Sequence, residues 1–365
     1  MLRRPLIVFA IAFALGVLCA LLVARQQQLQ LEPDANATIA AAASAAAAAA
    51  TNASPEAADT DPGDDTGSDD DNADSGAAWP EDAGTPEQIM YAQAERMDAA
   101  IANLTPRVPG KVNLYLVAFA GDGNENVFRN EVEFVEKQFV ERFDAAGHTL
   151  VLVNNPATLN EYPIASQSNL ENAVDAIAAI MDKDEDLLFL FLTSHGSREH
   201  ELAVELDPLP LDQLKPEDLA GLLADSHIRN RVVVISACYS GGFIDALKGP
   251  TTMVITAARA DRTSFGCGTK SDITYFGRAM FVDGLNDQDN FPAAFSEAAK
   301  LVREWETKAG QEHSEPQIAT APAIEKRLRD WRGGLHLGPR VPFVPAAGTK
   351  PADAPDALTA ALERH

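Results

Sequence analysis

Two short segments of the chain carry side chains suited to attack on a carbonyl group. Thr193-Ser194-His195-Gly196-Ser197 offers a histidine followed by glycine, and Ser236-Ala237-Cys238-Tyr239-Ser240-Gly241-Gly242 offers a cysteine. A thiol attacks as its thiolate, and a neighbouring imidazole can take its proton and later protonate a departing amine. Glycine lets backbone approach a substrate, so the amides of Gly196 and of Cys238 itself are candidate donors to an oxyanion. A helix starting near Gly241 or Gly242 would also favour negative charge on the sulfur. Taken singly, a cysteine after a strand is usually a small hydrophobe, and a histidine at a strand end is usually a hydrogen-bonded surface group. It is the conjunction that points to chemistry.

The elements that must position these residues are strands. Strongly apolar, β-branched or Leu/Phe-rich runs occur at 112–119, 149–153, 187–192, 232–235 and 253–256. Their near-continuous hydrophobicity suits a parallel sheet covered on both faces. Helix-like segments lie between them at 127–146, 169–181, 216–224 and 243–247, with two more at 275–284 and 292–305. Alternation of strand and helix gives an open α/β domain, whose sites lie beyond the carboxyl ends of its strands. His195 follows the third run and Cys238 the fourth. If those strands pair in parallel, about 4.8 Å apart, the 43-position separation in sequence collapses to one rim.

The 365 residues allow one or two domains plus tails. A net charge of -25 disfavours nucleic acid as a partner, and the charge is regional. Residues 1–25 hold three arginines and no acid, whereas residues 26–95 hold 15 acids and no base. Residues 6–24 form an uncharged apolar run that spans roughly 28 Å as a helix, close to the hydrocarbon thickness of a bilayer. With Arg3 and Arg4 before it and only Arg25 after it, residues 1–25 are expected to be a retained signal anchor, a single transmembrane helix with the rest of the chain outside the cytoplasm. A cleaved signal peptide is the competing reading. Residues 26–86, rich in Ala, Asp, Gly and Ser, are expected to form a disordered acidic linker, and the Pro/Ala-rich tail 339–365 to be loosely ordered. Between them, 87–338 is the expected folded domain. Three cysteines, one of them Cys19 within the apolar run, cannot make a disulfide framework.

The His-Gly and Ala-Cys-x-Ser-Gly arrangement on consecutive strands resembles the legumain family of cysteine peptidases and, more remotely, the caspases. Ile255-Thr256-Ala257-Ala258, Ser264-Phe265-Gly266-Cys267 and Thr274-Tyr275-Phe276-Gly277 extend the resemblance across about residues 111–285. It implies a caspase-like three-layer α/β sandwich with a mostly parallel sheet, with His195 and Cys238 as a catalytic dyad and Gly196 as an oxyanion donor. It also implies a pocket for the residue before the scissile bond (P1), built from an arginine and acidic residues. Arg129 can supply the arginine, but Ser236 and Arg278 stand where the family has acids, which suits P1 Asp as well as Asn. The expected function is therefore cleavage of peptide bonds in peptide or protein substrates, without cofactor or metal. The expected setting is the periplasmic side of a bacterial inner membrane. A transpeptidase using the same dyad, an inactive caspase-like binding module and an α/β-type esterase are the alternatives. The residues leave oligomeric state open. His200 has no second His or Cys at a ligand-like spacing, and His148 reads as structural. Cys267 is either packed or able to pair with Cys238 under oxidation.

Overall fold

The computed structural model describes residues 79–81, 83–268 and 271–345. The expected anchor, Cys19, the linker as far as residue 78 and the tail from residue 346 lie outside them. Among the described residues no helix is long and apolar enough to cross a membrane.

All five apolar runs form strands: β1 (Leu114–Ala120), β2 (Thr149–Val153), β3 (Leu187–Thr193), β4 (Asn230–Ser236) and β5 (Thr252–Thr256). They pair in parallel in the order β2-β1-β3-β4-β5, and a short sixth strand, β6 (Gln317–Ala319), closes the far edge antiparallel to β5. The sequence reading did not foresee β6, a three-residue, half-buried edge strand with little apolar signal.

Alternate strand residues feed two cores. Leu116, Ala118, Phe189, Phe191, Val232 and Val234 face one side, where α3 (Asn126–Arg142), α7 (Phe291–Ala309) and α8 (Pro322–Gly333) cover them. Tyr115, Val117, Leu188, Leu190, Val233 and Ile235 face the other, under α2 (Gln93–Ala102), α4 (Gln167–Ile180), α5 (Pro216–Asp225) and the one-turn α6 (Ile244–Leu247). Helices on both faces explain why these strands read as continuous apolar runs. Phe189 packs against the rings of Phe139, Phe281 and Phe291, with centroids 4.6, 6.4 and 5.2 Å away. Its truncation to alanine is worth about 3–5 kcal/mol of stability.

Residues on either side of 87–338 also pack on this unit. The Trp79 indole donates to the Gly84 carbonyl (2.7 Å) ahead of α1 (Pro86–Tyr91), whose Ile89 is buried. Val341, expected in a loose tail, is buried and exchanges two hydrogen bonds with the Asn286 side chain.

The connection from β1 runs outward to β2, whereas β3 lies on the opposite side of β1. The carboxyl ends of β1 and β3 therefore border the crevice where the winding reverses, which is where open α/β sheets hold ligands.

Candidate active site

β3 and β4 are paired with Thr193 opposite Ser236, so His195 and Cys238 stand at one height, each two residues past the last rung. The two loops touch. A Cβ on Gly196 would lie 2.1 Å from the carbonyl oxygen of Cys238, so only glycine fits there.

The imidazole is held from the β1 side. Beyond Ala120 the chain turns through Asp122, whose Oδ1 accepts the Asn124 amide (2.7 Å), and enters α3 directly after Glu125. Glu125 Oε2 lies 3.0 Å from His195 Nε2, and Phe128 meets the ring edge-on at 5.1 Å. The hydrogen bond that His195 donates to the Glu125 carboxylate raises the His195 pKa; burial opposes it, and the charges of Glu125, Asp122 and Cys238 reinforce it. Since Nε2 is committed to the carboxylate, Nδ1 is left for proton exchange. Sequence reading missed Glu125, although an acid between the end of β1 and a helix sits where strand-end sites are built. The donor atoms of Asp122, Glu125 and His195 lie within 4.8 Å of one another, a spacing that a divalent ion could also use.

The sulfur has its own donors. Cys238 Sγ accepts the Ser264 amide at 3.2 Å, with the Ser264 hydroxyl at 3.7 Å. Hydrogen bonding from the Cys267 thiol is the largest influence on Cys238 and, with Ser264 and His195, brings its pKa down to about 6 against the opposing effect of burial. Cys267 is correspondingly pushed up, and both thiols are free. The helix expected near Gly241 is a 3-10 turn, Ser240–Phe243, running into the four-residue α6. That is too short to carry a macrodipole of weight, and the Ser264 amide is the sulfur's nearest backbone donor.

Of the expected pocket residues, Arg129 is buried on α3, one residue past Phe128. Its Nη1 donates to Asn155 Oδ1 (3.3 Å), and its Nε makes no hydrogen bond, with Glu133 the nearest acid at 4.0 Å. Ser236 lies beneath the rim, with its hydroxyl 3.2 Å from that of Thr274. Arg278 pairs with Asp283 at 3.9 Å within the irregular helical stretch that continues from Tyr275–Gly277 through the π-helical Arg278–Gly284. A second residue missed by sequence reading explains the burial of Ser236. Glu131, fully buried on α3, accepts from the Thr193 hydroxyl (2.7 Å), the Thr274 amide (2.8 Å) and the Thr274 hydroxyl. Burial holds its pKa up, against these donors. His148 is structural, stacked on Tyr115 at 4.3 Å, and burial lowers its pKa.

Comparison with known proteins bears on this arrangement. The model of the Peptidase C13 family matches residues 168–325. No curated protein matches the chain. Among solved structures, pro-sf-caspase-1 is similar at 11% identity and a TM-score of 0.39, over 59% of this chain and 94% of that one. The chain thus resembles the legumain family of cysteine peptidases, and the matched segment contains both His195 and Cys238.

Proposed function

We propose that the protein is a cysteine endopeptidase in which Cys238 is the nucleophile and His195 the proton carrier. The observation that carries this reading is the placement of the two residues at equal height on adjacent strands, with Glu125 bonded to the imidazole. Glu125 favours an imidazolium, and the donors around Sγ favour a thiolate. Cys238 attacks the substrate carbonyl carbon, and the amides of Gly196 and Cys238 take the developing oxyanion. His195 gives its proton to the departing amine, and water then releases the acyl group while His195 accepts a proton.

P1 Asn or Asp is the proposed preference. Arg129 supports it: a buried guanidinium whose Nε makes no hydrogen bond, and whose nearest acid, Glu133, stands no closer than 4.0 Å, suits an acceptor side chain from a substrate. We place the catalytic domain outside the cytoplasm, tethered through residues 1–25, on the strength of the arginines flanking the apolar run.

Cleavage of a peptide library by the purified protein, run beside Cys238→Ala, tests the assignment. Cleavage confined to the unsubstituted protein, after Asn or Asp, is expected. Activity that survives the substitution removes the mechanism. Protease added to spheroplasts, whose outer membrane is opened, should shave off the catalytic domain, whereas a domain on the cytoplasmic side stays protected.

A further inference from the structure

The residue after the thiol has an unusual backbone. Tyr239 adopts φ 56, ψ 13, a left-handed conformation that a bulky aromatic rarely takes. Such a conformation persists only where its surroundings impose it. The Tyr239 amide donates to the Arg262 carbonyl (2.7 Å), and its own carbonyl accepts from the Gly242 amide (3.0 Å). Two further contacts come from the loop that carries His195. His200 Nδ1 lies 3.2 Å from the Tyr239 carbonyl, and the Arg198 guanidinium sits 5.2 Å from the centre of the Tyr239 ring. A carbonyl only accepts, so Nδ1 carries the proton and donates.

The imidazole of His200 also fills space above the turn. A Cβ on Gly242 would lie 2.1 Å from His200 Cγ, so this glycine is required by the ring over it. Two successive carbonyls after the thiol are thereby clamped by one loop: that of Cys238 against Gly196, and that of Tyr239 by His200. His200 itself stands at φ 64, with its amide donating to the Ser197 carbonyl (3.0 Å), so its ring is held over the turn from its own side.

We propose that His200 is a positioning residue: by donating to the Tyr239 carbonyl and packing on Gly242, it holds the Cys238–Gly242 turn in the shape that aims the sulfur and the Cys238 amide into the cleft. It touches no reacting atom. The inference rests on the reading of Cys238 as nucleophile, but it predicts the reactivity of that thiol directly.

The test measures the alkylation rate of Cys238 by iodoacetamide, mapped by mass spectrometry, together with kcat, KM and Tm. The proteins compared are the unsubstituted chain, His200→Ala, His200→Asn, Gly242→Ala and the double variant His200→Ala/Gly242→Ala. His200→Ala should slow alkylation and lower kcat by about tenfold, the size of one lost hydrogen bond, with KM within about twofold. His200→Asn places an amide nitrogen where Nδ1 was and should restore most of both. Gly242→Ala alone should be impaired by collision with the ring, and the double variant less so than the two single effects combined. An unchanged alkylation rate in His200→Ala, failure of the asparagine to rescue, or strict additivity in the double variant overturns the proposal. Cleavage that persists in Cys238→Ala ends the peptidase reading instead, while the alkylation series still decides the role of His200.

Discussion

Glu125 Oε2 and His195 Nε2 lie 3.0 Å apart, joining the loop after β1 to the loop after β3 across the crevice of the sheet. The carboxylate fixes the ring's orientation and tautomer, and it raises the imidazole pKa. Glu125→Gln should therefore lower kcat/KM by roughly 10- to 100-fold, in line with the loss of one charge-assisted hydrogen bond. The sign of the pH effect follows. The imidazolium is lost as pH rises through the His195 pKa, so in the variant the alkaline limb of the profile moves to lower pH. A pH series of kcat/KM checks this, and an unmoved limb contradicts it.

The acid limb belongs to the sulfur. Activity should rise with pH as the Cys238 thiolate forms through about 6, and the Cys267 thiol is the main cause of that low value. In Cys267→Ala the limb should shift upward, toward the ordinary thiol range. Thiolate absorbance against pH, or the pH dependence of alkylation, reads it; a downward shift rules out the donor role given to Cys267.

At Gly196 the constraint is steric. Gly196→Ala puts a methyl group against the Cys238 carbonyl oxygen, a backbone atom that cannot swing aside, so one of the two loops must move. Activity should fall by about 100-fold or more, since small misplacements of reacting groups carry large rate penalties. Kinetics beside thermal unfolding separates misplacement from loss of the fold. A fully active Gly196→Ala protein would mean that the two loops do not meet as described.

Arg129 is the test of P1 preference. Arg129→Gln removes the cation and keeps hydrogen-bonding capacity, so cleavage after Asp should fall more than cleavage after Asn. Matched Asn and Asp peptides give the ratio. An equal loss for both assigns Arg129 to the scaffold, with Asn155 and Glu133 as its partners.

Much of this candidate site is legible in the sequence because His195 and Cys238 sit at the ends of the most apolar strands. The runs at 187–192 and 232–235 are unmistakable, and their consecutive order made the pairing of β3 with β4 the natural expectation. Glu125 and Glu131 are not legible in the same way. Each is an acid in or beside a helix, a position normally read as solvated, and only the packing of α3 beneath the strand ends gives them partners. The helix expected to reach residue 146 stops at Arg142, and the chain then turns through Asp144 and Gly147, both with positive φ. Apolar periodicity does not register that exit. The segments 86–102 and 322–333 escaped because their helices pair with the core through a few residues each, such as Met97, Leu328 and Trp331.

The buried carboxyl of Glu131 carries a consequence for how this molecule can diverge. It is bonded to the end of β3 through Thr193 and to the start of the helical stretch at Thr274, which in turn meets Ser236 at the end of β4. A lineage that lost the acid would leave the hydroxyls of Thr193 and Thr274 and the Thr274 amide without their acceptor in the interior. Positions 131, 193, 236 and 274 are thus expected to mutate as a set, and relatives that differ at one should differ at the others.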